Sequence, residues 1–136
     1  MRPPFALVMR IVAAACLAGS GYLHADLYLN GYRFIPTIGP AFLLQASGAF
    51  AVAVLLLISS SPVLRILAVG LACGALGGFL LSRTVGLFGF TERGFQPAPQ
   101  SALSLGFEFA VLGLLAVPLV RDGFRMIVGR RVAAAG

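Results

Sequence analysis

Four long apolar runs govern what this chain can fold into. They extend from Ile11 to Leu29, Ile38 to Ser59, Val63 to at least Ser82, and Ser101 to Val120. Each holds about 19–22 residues, close to the ~20 needed to carry a helix across a ~30 Å hydrocarbon core. Backbone N–H and C=O groups cannot go unpaired in lipid, so a run of this length is expected to be a helix. The reading is an all-α polytopic membrane protein: one transmembrane domain over residues 1–136, built as an up-down four-helix bundle. Composition agrees, because 60% of the residues are hydrophobic and 10% charged, where a soluble domain carries about 25% charged residues. The first run is read as a membrane helix rather than a cleaved leader. Arg10 interrupts the would-be hydrophobic region, and no small-x-small site follows it.

The ten basic residues are all arginine, against four acids, for a formal charge of +6. They stand singly between apolar runs or at the C-terminus, not clustered on one face as nucleic-acid binding requires, so no nucleic-acid partner is expected. Their distribution speaks to topology. Arg2, Arg10, Arg65, Arg121, Arg125, Arg130 and Arg131 fall on one side, and Arg33, Arg83 and Arg93 on the other. The positive-inside rule then puts both termini in the cytoplasm. Abundant Ala, Gly and Arg without Lys is the composition of a high-GC bacterial genome, which makes the expected site the bacterial inner membrane. Gly129 to Gly136 reads as a small, basic tail that frays on the cytoplasmic surface.

The informative residues are polar ones inside apolar runs. His24 lies about 21 Å above the cytoplasmic boundary, Glu108 about 20 Å and Gln45 about 22 Å, at 1.5 Å per helical residue. Arg83 stands higher, about 27 Å up, where it either snorkels outward or reaches down to Glu108. Ser20 and Tyr28 share the face of His24, and Ser101 and Ser104 lie near the face of Glu108. His24, Gln45, Arg83 and Glu108 therefore outline a polar pocket opening outward. Glu108 carries most weight: an acid at this depth costs at least about 2.5–3.5 kcal/mol, so it faces the bundle interior with a functional or an interhelical bonding role. His24 is expected to be a hydrogen-bond partner for Glu108 or Asp26, or simply an interfacial residue.

Gly70, Gly74 and Gly78 form a small-xxx-small track that lets helix backbones approach closely. It is expected to serve packing inside the bundle, with a homodimer seam as the alternative. Val85 to Phe90 is too apolar for an ordinary exposed loop, and is expected either to prolong the third helix or to fold back along the interface. Cys16 and Cys73 sit in apolar runs without metal-ligand spacing, so no metal is expected. A single histidine excludes bis-histidine haem ligation within one chain, and no cofactor is expected. Neither a phosphate loop nor a serine–histidine–acid set stands out, and the chain is read as non-enzymatic.

Two stretches carry a resemblance: His24-Ala25-Asp26-Leu27-Tyr28 with Gly31 to Gln45, and Gly77 to Ser82 with Val85 to Glu92. Together they resemble small four-helix membrane proteins of unknown function common in actinobacteria. The resemblance supports the topology and supplies no site residues. Two functions follow as expectations. One is an accessory or scaffold component that meets the lipid bilayer and either another membrane protein or a second copy. The other is a small-ligand or proton-handling protein using the pocket around Glu108 and His24.

Overall fold

Helix formation follows the apolar runs and overshoots them at the two chain ends. The computed structural model describes residues 3–134, with side chains for residues 4–130. It contains α1 (Pro3–Leu29), α2 (Ile38–Ile58), α3 (Pro62–Arg83) and α4 (Gln100–Ala134). Arg10 does not break α1, since a single Arg is a good helix former. Gly129–Ala134, expected as a frayed tail, continues α4, because Ala, Val and Arg propagate a helix already nucleated upstream. Gly136, and the side chains of Arg2 and Arg131 counted for orientation, lie outside the described residues. All four helices are long and apolar enough to cross a membrane. The chain is an all-α four-helix bundle of the multi-pass membrane type.

The connections explain the order. Ser61 caps α3 by accepting the Val63 N–H at 3.3 Å, with Pro62 at the first helical position. That short turn makes α2 and α3 antiparallel. Each helix packs on its chain neighbours and α4 closes the ring onto α1; the α1–α2 seam is the most extensive and the α2–α3 seam the thinnest. A Cβ added at Gly21 would stand 3.0 Å from the Ala49 Cβ and 3.3 Å from the Ala46 carbonyl. The close backbone approach is therefore on α1 and α2. The packing expected of Gly70, Gly74 and Gly78 is not found within the bundle: a Cβ at Gly70 or Gly74 would meet nothing within 4 Å, and at Gly78 only Leu87 at 3.9 Å. Four-residue spacing identifies a helix face, but not what lies opposite it.

The half of the bundle near the chain termini holds a second cavity, of about 500 Å³ beside Arg10, Arg65 and Leu115, and an apolar core. Ala13, Leu17, Ala49, Val52, Leu56, Ala68, Ala72, Val111 and Leu115 form it. The Arg65–Asp122 ion pair, 2.5 Å, ties α3 to α4 at that end. At the opposite end lie the two longer loops, residues 30–37 and 84–99. Val85–Phe90 folds back on itself rather than prolonging α3. Phe88 (φ 51°) and Gly89 (φ 82°) form a tight turn closed by paired Leu87 and Phe90 hydrogen bonds of 2.8 and 2.9 Å, and positive φ at both central positions is the type I′ hairpin geometry.

Candidate functional site

Each helix directs a stripe of residues, spaced three, four or seven apart, toward the bundle interior, and each stripe turns polar or aromatic toward the loop end. On α1 the order is Ala13, Leu17, Ser20, His24; on α4 it is Leu115, Val111, Glu108, Ser104, Ser101. On α2, Leu56, Val52 and Ala49 give way to Gln45 and Phe42; on α3, Ala68 and Ala72 give way to Phe79 and Ser82. Among the described residues the buried polar side chains are Ser20, Ser82, Ser101 and Glu108, all at this end. There the four stripes line a partly open cavity of about 270 Å³. His24, Gln45, Arg83 and Glu108 line it, as do Gly74 and Gly78; Gly70 and Tyr28 do not.

The floor is Glu108, only 2% exposed. Its Oε1 accepts hydrogen bonds from Ser20 Oγ at 3.0 Å and Ser104 Oγ at 2.7 Å. No described residue bonds its Oε2. His24 does not bond Glu108 or Asp26 directly, contrary to expectation. Its Nδ1–H donates to the Ser20 carbonyl at 2.9 Å, one helical turn back, which makes Nε2 the free ring nitrogen. Asp26 instead accepts from Asn30 at 2.9 Å and from Gln100 at 3.4 Å. Ser20 Oγ thus donates to the acid and also lies 3.5 Å from His24 Nδ1, so serine, histidine and acid form one contiguous cluster. Gln45 forms part of the wall; its Nε2 donates to the Leu71 carbonyl at 3.0 Å across the thin α2–α3 seam, leaving Oε1 unengaged.

The roof belongs to Arg83, which neither snorkels freely nor reaches Glu108. It pairs with Glu92 Oε2 at 2.9 Å, donates from Nε to the Gly94 carbonyl at 2.8 Å and from Nη1 to Ser82 Oγ at 2.6 Å, and also bonds the Gln96 carbonyl. Its guanidinium lies 3.8 Å from the Phe79 ring centroid. Nearby backbone carbonyls and a loop acid answer a planar five-donor fork better than one distant carboxyl could. The same Glu92 accepts a hydrogen bond from the Tyr32 hydroxyl. Burial, then the hydrogen bond and negative charge of Glu92, push the Tyr32 phenol well above its usual range, and Arg83 opposes this only in part. Tyr32 packs on Phe42 and Phe90, with ring centroids 4.6 and 5.7 Å apart. Gly39 makes room for this roof: a Cβ there would stand 2.9 Å from the Tyr32 and Arg33 carbonyls.

Tyr32, Phe42, Phe79 and Glu92 line the cavity and were not singled out as site residues from the sequence. Tyr32 and Glu92 lie sixty residues apart in different loops, and only the folded-back loop makes them partners. No set of metal-binding side chains exists among the described residues. What the arrangement offers is a small, partly open space with a carboxyl floor, aromatic walls and a salt-bridged roof. No protein-family model, curated protein or solved structure matches the chain.

Proposed function

We propose that this chain is a non-enzymatic membrane protein that holds a small molecule in the cavity between its four helices. The observation that carries this reading is the convergence of the polar ends of four otherwise apolar stripes on one cavity of about 270 Å³. Interhelical packing does not need this convergence, since apolar side chains serve it elsewhere in the bundle. The volume is just below the ~300–1,000 Å³ of pockets for drug-sized ligands, so the guest is small. The arginine distribution supports a bacterial inner-membrane site with cytoplasmic termini, and the cavity then lies toward the outer face. The test is native mass spectrometry of the intact chain released gently from mild detergent. A small bound mass, lost in Glu108→Gln with helix content unchanged, is the expected result. A bare chain in every preparation overturns the reading.

A second reading, an accessory component with a protein partner, has one observation in its favour. Gly70, Cys73 and Gly74 are exposed on α3, and an added Cβ at either glycine meets nothing. A second helix, from another copy or another protein, has room to approach there. Co-purification of a membrane partner that Gly70→Leu abolishes would favour it; a lone monomer throughout would count against it.

A further inference from the structure

The cavity can be read by asking which of its polar atoms are already engaged. The five N–H donors of Arg83 go to the roof carbonyls, Ser82, Ser101 and Glu92. The hydroxyl protons of Ser82, Ser101, Ser104 and Tyr32 go to carbonyl or carboxyl oxygens. His24 Nδ1–H is spent on Ser20. With Glu108 as the carboxylate, the form a cationic guest selects, the groups left without a partner are the acceptors Glu108 Oε2, His24 Nε2 and Gln45 Oε1, beside one remaining amide N–H of Gln45.

The charge count points the same way. Arg83 and Glu92 pair with each other, so Glu108 is the cavity's one acid without a cationic partner among the described residues. Phe42 and Tyr32 line the same space with their rings packed together, and aromatic rings attract cations. On the reading of this cavity as a ligand site, we infer that its guest is a small organic ammonium. Its N–H donors meet Glu108, His24 and Gln45, and its apolar body lies against the aromatic wall. An anion would face unpaired acceptors, and a neutral alcohol supplies one donor where three acceptors wait.

Isothermal titration calorimetry on the full chain in mild detergent tests this with three probes of one shape: phenethylammonium, 2-phenylethanol and 3-phenylpropionate. The ammonium is expected to bind about tenfold or more tighter than the alcohol, the difference between a charge-assisted and a neutral hydrogen bond, and the carboxylate not at all. Glu108→Gln should weaken ammonium binding about 30-fold or more, as removal of one partner from a buried charge pair does, and leave the alcohol unchanged. The charge series on the unaltered chain decides the matter even if that variant does not fold. Equal or tighter binding of the alcohol or the carboxylate overturns the ammonium class while keeping a ligand site. Failure of all three probes also overturns it. If native mass spectrometry still finds an endogenous small mass, the cavity reading survives; if it finds none, both fall.

Discussion

The two halves of this bundle are built by the same four helices and solve opposite problems. Near the termini, Leu17, Leu56, Val111 and Leu115 interdigitate into a core that leaves its lining residues almost no exposure. One turn further along α4, Glu108 replaces that pattern; two turns beyond Leu17 is His24, and the helices part around a cavity. The terminal half holds the helices together by apolar contact, which in lipid is dispersion and close packing, and by the Arg65–Asp122 ion pair, beside a cavity of its own. The loop half is held by hydrogen bonds and one ion pair at its roof, and keeps space between the helices. Stability and site are thus assigned to different ends, and substitutions should separate them.

The largest effect is expected in the terminal half. Leu17→Ala removes a fully buried side chain and should lower the unfolding free energy by about 2–5 kcal/mol, read by thermal denaturation in detergent. A change below about 1 kcal/mol would mean that this half is not the anchor. Arg83→Ala should come next. It removes the cationic partner of Glu92 and a donor to the Gly94 and Gln96 carbonyls and should loosen the roof by about 3 kcal/mol, read as faster hydrogen exchange across residues 84–99 with α1 and α2 unchanged. If exchange also rises around Leu17, the halves are not independent.

Tyr32→Phe should cost about 1 kcal/mol, one hydrogen bond. It also has a pH signature. The Tyr32 phenol is raised in the folded state, so its contribution is present in full below the unfolded value near 10 and is lost as pH rises through the raised folded one. The stability gap between wild type and Tyr32→Phe should therefore narrow only above about pH 10; a gap that narrows at neutral pH would contradict the roof as described. The smallest effect belongs to Gly70→Ala. It meets open space and, through helix propensity, should leave the lone chain as stable or up to about 1 kcal/mol more so. A marked loss of thermal stability would reveal a packing partner on that face.

Much of this molecule can be read along the chain, because lipid leaves a chain few choices. Once backbone groups must satisfy themselves, run length selects helices and the short Ser59–Pro62 connection selects antiparallel neighbours. Rise per residue also brings His24, Gln45 and Glu108 to one level, and polar side chains at that level have reason to face inward. These are one-dimensional properties, and they reach as far as the identity of the cavity's polar lining.

Tertiary structure alone decided how those side chains are used. Whether Arg83 answers Glu108 or Glu92 depends on the path of residues 84–99, whose turn at Phe88 and Gly89 brings Glu92 back over the helix ends. Whether a glycine spaces two helices or borders a cavity depends on what stands across from it. At Gly21 that is the backbone of α2, and at Gly74 it is empty space. Hydrogen bonding and close packing act over a few ångströms between residues remote in sequence, so periodicity can nominate the participants while only the fold pairs them.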